Sequence, residues 1–263
     1  MRGLSCVFFV SFTLLMVGCG ADPLATFYYE LGRYGYIPYS TPMQYAGTGT
    51  LIGGSPNAME IIANPETCFP GITTTGAGLR FRDESVLPST TESFSVTADL
   101  TVDLFKALAT GFPTIQGGVN LSNVSSLDLE FNGIHVEYID SVKLVDYYRN
   151  TLSETCKQYL DLVGFINQAI VADQMKFAFY DKTGGKIQIT VDNIQQYLDL
   201  SAVGSWEIDQ SSTLIINTPK YIGYQLGELR EADNGLSLKR ATKVIMNTWV
   251  FTDVGIFNED SAH

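Results

Sequence analysis

The chain has 263 residues, of which 45% are apolar, 12% aromatic and 17% charged, and its 28 acids outnumber 16 bases for a net charge near −12. A chain this long and apolar can bury one substantial core, and its composition excludes a disordered tail, a coiled coil and a collagen-like repeat. The acidity argues against nucleic acid as a partner, because neutralising phosphates takes clustered Lys and Arg.

The first eighteen residues, MRGLSCVFFVSFTLLMVG, carry one charge, Arg2, ahead of an eleven-residue run from Val7 to Val17 with only Ser11 and Thr13 polar. A permanent membrane helix needs about 20 apolar residues to cross roughly 30 Å of hydrocarbon, so this run is too short. A basic start, an apolar middle and small residues at a cleavage point describe a secretory signal.

Leu15-Met16-Val17-Gly18-Cys19-Gly20 resembles the lipobox of bacterial lipoproteins, with Met16 standing where that family prefers Leu. The resemblance implies that residues 1–18 are a signal peptide and that Cys19 carries a diacylglyceryl thioether, with a further acyl chain on its freed amine. Two or more chains anchor stably, since each buried CH₂ contributes about 0.8 kcal/mol and a single chain is marginal. Gly20, rather than Asp, places the anchor in the outer membrane by analogy. An ordinary secretory signal with Cys19 incidental, and a short membrane helix, are the competing readings. Loss of residues 1–18 removes Arg2 and no acid, which takes the net charge from −12 to −13. An acidic membrane surface would repel such a body, so a lipid tether suits it better than electrostatic adsorption.

Export leaves two cysteines, Cys68 and Cys156, because Cys6 departs with the signal and Cys19 takes lipid. In an oxidising compartment they either form one bridge across a long loop or sit as separate buried thiols. The bridge is the reading taken.

Residues 19–46 read as lipid anchor, tether and an aromatic lead-in, with Phe27, Tyr28, Tyr29, Tyr34, Tyr36, Tyr39 and Tyr45 crowded together. Such a stretch binds carbohydrate, sits at a membrane interface or, the reading preferred, covers a sheet edge with its hydroxyls in water. Residues 47–263 read as a single α+β domain. Gly47 to Gly54 has neither the GK[ST] ending of a phosphate loop nor a GxGxxG pattern, and reads as a strand with a glycine bulge.

From Phe94 to Leu104, apolar and polar residues alternate strictly, as in a long one-sided strand. Asn132-Gly133, between Leu127-x-Leu129-x-Phe131 and Ile134-x-Val136-x-Tyr138, predicts a two-residue hairpin that sets 131 against 134 and 129 against 136. Residues 141–162 switch to helical spacing, with Leu144, Val145, Tyr148, Leu152, Cys156 and Leu160 on one stripe. Strands are expected near 163–171, 174–180, 186–191, 203–208, 213–217 and 221–227, with a helical turn near 192–199, a turn at Asp233-Asn234-Gly235 and one or two strands after it. The fold expected is α+β: mainly antiparallel sheet with one substantial amphipathic helix, about 141–162, packed on it.

Chemistry is sparse. There is no HExxH, CxxC or GxSxG, and the histidines are His135 and His263. The predicted hairpin sets His135 opposite Glu130 on its polar face, an acid–base pair or, as preferred, an ordinary cross-strand pair. It sets Asp128 opposite Glu137, two carboxylates that hold a hard cation or, as preferred, repel one another mildly in water. No catalytic residue, metal or cofactor is assigned.

Thr213-Leu-Ile-Ile-Asn-Thr-Pro-Lys-Tyr-Ile-Gly-Tyr-Gln-Leu-Gly-Glu-Leu229 resembles the last strand pair of gasdermin pore-forming domains. The 94–104 strand with its glycine-rich return to about 131 resembles the region that those proteins convert into membrane hairpins. The resemblance implies a pore former in which residues 230–263 are a restraining C-terminal segment. The reading preferred is an envelope lipoprotein with a non-enzymatic structural or binding role. Its partners would be the membrane, through lipid on Cys19, and an envelope protein or small ligand, on either the periplasmic or the surface face. A gasdermin-like pore former and an envelope hydrolase are the alternatives.

Overall fold

The computed structural model describes residues 29, 31–44, 46–72, 78–84, 91–95, 126–190, 205–232 and 235–257. Their elements in chain order are β1 (Ile37–Met43), β2 (Leu51–Ser55), β3 (Ala58–Ala63), α1 (Pro65–Cys68), β4 (Arg80–Asp83), β5 (Thr91–Ser95), β6 (Ser126–Ile139), α2 (Ser141–Asn150), α3 (Glu154–Leu162), β7 (Gly164–Tyr180), β8 (Trp206–Ile208), β9 (Leu214–Ile216), β10 (Lys220–Ala232), β11 (Gly235–Ile245) and β12 (Thr248–Phe257). The signal segment 1–18, Cys19, residues 96–104 of the alternating strand, the turn near 192–199 and Asp233-Asn234 lie outside the described residues.

The strands form one antiparallel sheet whose path runs β12-β11-β10-β7-β2-β3. β7 is the spine: β10 and β2 pair with its first half, β6 with most of its length and β9 with its second half. Its sequence, GFINQAIVADQMKFAFY, supplies the β-branched and aromatic residues that such a strand needs, and Phe165, Ile166, Ala169, Ile170 and Ala172 are fully buried. On one face, Phe165, Leu229 and Leu238 pack against Leu144, Val145, Tyr148 and Leu160 of the helices. On the other, Ile166, Ala169, Tyr224 and Leu226 pack against Ile37 and Tyr39 of β1, with Trp249 and Phe251 beside them. A strand buried on both faces reads as a nearly continuous apolar run, as this one does.

Three expectations about the elements are corrected. The strand expected near 186–191 is reduced, over residues 186–190, to one isolated bridge between Tyr180 and Lys186. The helix expected over 141–162 is two helices, separated by Thr151-Leu152-Ser153. The Asp140 side chain caps α2 by accepting from the Val142 and Lys143 amides, both at 2.9 Å. The Ser153 hydroxyl caps α3 by accepting from the Cys156 amide at 3.3 Å. Each cap satisfies amides that a helix start leaves orphaned, so the chain gains by restarting. Leu152 stays buried between the two, which keeps the apolar stripe continuous through the break.

The hairpin expected at Asn132-Gly133 does not form. β6 passes straight through it as one fourteen-residue strand, with the same register against β7 on both sides: Phe131↔Met175 and Asn132↔Gln174 before, Ile134↔Ala172 and His135↔Val171 after. Gly133 adopts φ +63 inside the strand. A partner as long as β7 satisfies both halves of the run, which a two-residue turn would have folded on themselves. Expected strands 163–171 and 174–180 join in the same way into β7.

The aromatic lead-in belongs partly to the sheet, for β1 pairs with β10 at Ile37↔Tyr224. Tyr29 and Tyr34 are exposed, but Tyr36 and Tyr39 are buried and their hydroxyls face protein, not water. Tyr36 donates to Gln168 Oε1 at 2.9 Å, and Tyr39 to the Ala46 carbonyl at 2.6 Å. Tyr39 also packs on the Tyr224 ring, with centroids 4.6 Å apart.

Candidate functional site

Four strands bring charge together on one face around His135. On β6, residues 135 and 137 point the same way, as side chains two apart on a strand must. On β4, Arg80 and Arg82 share that face because Arg82 pairs with Glu137 and Arg80 with Ile139. β7 contributes Asp173, and β10 contributes Tyr221, which pairs with Val171 next to His135.

Gly133 makes the cluster sterically feasible. A Cβ built there would stand 2.7 Å from Asp173 Oδ2, so the aspartate occupies the space that any other side chain would fill. Leaning over the glycine, Asp173 brings Oδ1 to 3.7 Å from His135 Nδ1 and accepts a hydrogen bond from Arg82 at 2.9 Å. Arg82 also reaches Glu84 at 3.0 Å. The Gly133 carbonyl lies 3.0 Å from His135 Nδ1, and this assigns the proton to that nitrogen. The other ring nitrogen, Nε2, is 3.9 Å from Glu137 Oε1. Arg80 and the Tyr221 hydroxyl both donate to Glu137 Oε2, at 3.4 and 3.2 Å.

The electrostatics follow. Burial alone would depress the His135 pKa, but the nearby Glu137 carboxylate, the Gly133 carbonyl and the charge of Asp173 outweigh it, and the net shift is upward against the opposing field of Arg82. Burial likewise works to raise the Glu137 pKa, and the His135 ring, Arg80 and the Tyr221 hydroxyl together bring it below the usual value. Burial and the nearby Glu137 carboxylate push the Tyr221 phenol up. The group therefore sets an imidazole beside a carboxylate and ties β4, β6, β7 and β10 together. The His135 side chain is only 2% exposed, and both ring nitrogens already face protein groups. The Arg82 and Asp173 side chains form the open side of the cluster, at 48% and 37% exposed.

The other predicted pairings are corrected with the hairpin. Glu130 faces Lys176 across the strands, at 3.2 Å, and not His135. Asp128 pairs with Ala178 and Ser93, while Glu137 lies nine residues further along the same strand, about 30 Å away at strand rise. Asp128 instead accepts a hydrogen bond from the Tyr180 hydroxyl, raising that phenol's pKa. Among the described residues, no group of three or more His, Cys, Asp or Glu has the geometry to hold a metal ion.

Asp173, Arg80, Arg82 and Tyr221 escaped the sequence reading. A signal existed for three of them: Asp173 is the lone acid within the apolar run of β7, and Arg80-Phe-Arg82 has the two-residue spacing that puts both guanidinium groups on one face. Tyr221 carried none, since its place depends on the β7–β10 register.

Cys68 and Cys156 form a disulfide with a Cα–Cα separation of 5.6 Å, joining α1 to α3 beneath the helical face of the sheet. No helix of the described residues is long and apolar enough to cross a membrane.

No family model and no curated protein matches the chain. Among solved structures it is weakly similar to a bacterial gasdermin from Bradyrhizobium tropiciagri, with a TM-score of 0.47 and 10% identity over 90% of this chain and 92% of that one. A likeness of this degree carries no functional argument, so function rests on the residues themselves.

Proposed function

We propose that the protein is an envelope lipoprotein, tethered to the outer membrane by acyl chains on Cys19 and serving there as a non-enzymatic binding or structural module. The Cys68–Cys156 disulfide carries the reading. Such a bridge forms and persists in an oxidising compartment, which is where a signal ending in Leu-Met-Val-Gly-Cys19 would deliver the chain. The fold fits a passive body: His135 is buried, with protein groups facing both ring nitrogens. Metabolic labelling with palmitate tests the anchor. The wild type takes up label into the outer-membrane fraction and Cys19→Ala does not; equal labelling of both overturns the reading.

A second reading, membrane pore formation, is favoured by one specific feature. Among the described residues β5 pairs only with β6, and it opens the alternating run Phe94–Leu104, whose length suits a tilted membrane strand of about 9–11 residues. Release of a trapped dye from liposomes by the purified protein, alone or after removal of residues 230–263, would support it. Intact liposomes under both conditions remove it.

A further inference from the structure

β3 ends the path of the sheet, and among the described residues no strand lies beyond it. Exposed edges are ordinarily blunted by Lys, Pro, a bulge or a covering loop, because unpaired N–H and C=O groups invite another strand. β3, Ala58-Met-Glu-Ile-Ile-Ala63, contains neither Lys nor Pro, and its one irregularity against β2 falls at its far end, at Ile62, leaving Ala58 to Ile61 in regular register. Ile61 is 45% and Ile62 42% exposed. The apolar surface continues past the strand. A Cβ at Gly53 would lie 3.0 Å from Ile62 Cδ1 and 3.7 Å from Val163 Cγ1, so Ile62 adjoins the end of α3. There Leu162 is 78% and Tyr159 47% exposed.

The edge is also held still. Asn247, in the turn between β11 and β12, accepts from the Asn57 amide at 2.8 Å and donates to Ser55 Oγ at 3.2 Å, pinning the β2–β3 turn. Met246 and Asn247 both sit at positive φ, +47 and +56, in the geometry that a two-residue turn requires and that methionine seldom adopts. An edge fixed in advance spares a binding partner part of the ordering cost.

Charge narrows the occupant. Glu60 is the one charged residue of β3, and no Lys or Arg occurs from residue 34 to residue 79. A second copy would bring the same base-free edge and the same net charge of −12 against it. We propose that the β3 edge docks an extended segment of another protein whose alternate residues are aliphatic on the face of Ile61 and Lys or Arg on the face of Glu60. Backbone pairing would supply the attachment, and the Ile and Glu positions the selectivity. The proposal names a partner for the binding role above and does not depend on the lipid, so palmitate labelling and the experiment below fail separately.

The purified protein is incubated with a synthetic ten-residue peptide that alternates Val and Lys, or with one that alternates Val and Glu, and amide hydrogen exchange is followed by mass spectrometry. The Val/Lys peptide is expected to slow exchange of residues 58–63 by about tenfold while leaving the opposite edge, β12, unchanged. Glu60→Lys, an exposed substitution, is expected to transfer the protection to the Val/Glu peptide. The proposal is overturned by protection from neither peptide, by equal protection from both, by equal protection of β12, or by concentration-dependent protection of 58–63 without peptide, which would assign the edge to a second copy.

Discussion

His135 and Glu137 stand side by side on β6 with Nε2 3.9 Å from Oε1, and each stabilises the other's charged form. The histidine's folded pKa lies above its ordinary 6.5, so its contribution to stability is complete below about 6.5 and disappears as pH rises through the raised value. The glutamate's folded pKa lies below its ordinary 4.5, so its contribution is present above about 4.5 and is lost as pH falls through the lowered value. Both act together between those limits. The melting temperature is therefore expected to peak in that window, and His135→Gln to flatten its decline on the alkaline side. Thermal unfolding at closely spaced pH values checks this, and an unchanged profile in the variant refutes it.

Gly133→Ala should cost about 1–3 kcal/mol, because it places a side chain at φ +63 where the Asp173 carboxylate already sits. Part of that cost is steric and should vanish when Asp173→Ala is added. A double-mutant cycle by urea denaturation measures the coupling, and strict additivity would mean that the two residues do not share this space.

Replacing both Cys68 and Cys156 by Ala opens a loop spanning 88 residues and is expected to cost about 2–4 kcal/mol, mostly by freeing the unfolded chain. Reduction of the wild type should reproduce the loss in denaturant midpoint. A midpoint insensitive to reductant would show that the bridge contributes nothing to folding.

Lys220 is buried, 1% exposed, and has no acidic partner among the described residues. Burial lowers its pKa. Desolvation of an ammonium with no carboxylate beside it destabilises, so Lys220→Met, of similar length, is expected to raise the melting temperature at neutral pH. Since the folded pKa lies below 10.5, the wild type should recover stability as pH rises through that lowered value, and the gain from Met should shrink there. Spectroscopic melts of the two proteins at neutral and alkaline pH decide it.

Much of the sheet was legible because its strands carry their own signals. The apolar run of β7 and the turn chemistry after Tyr180, where Asp181 accepts from the Thr183 and Gly185 amides, are local. The failures share a cause. Asn132-Gly133 has the chemistry of a turn, yet whether it turns depends on whether a strand long enough to pair straight across exists elsewhere, and that strand begins thirty-one residues later. The cluster around His135 was hidden for the same reason: its members come from β4, β6, β7 and β10, and only the register between those strands places them together. The break at Thr151-Leu152-Ser153 was readable from its run of cap-forming residues, but the unbroken apolar stripe concealed it.

The pairing of Ile37 with Tyr224 has a consequence for the order of events during synthesis. β1 must wait for nearly two hundred further residues before its partner strand exists, and β2, which β3 joins at once, must wait for β7 on its other side. A nascent chain made from its N-terminus therefore cannot complete this sheet until most of it has left the ribosome, and contacts so distant in sequence form slowly. The topology itself delays closure until the final third of the sequence has been made.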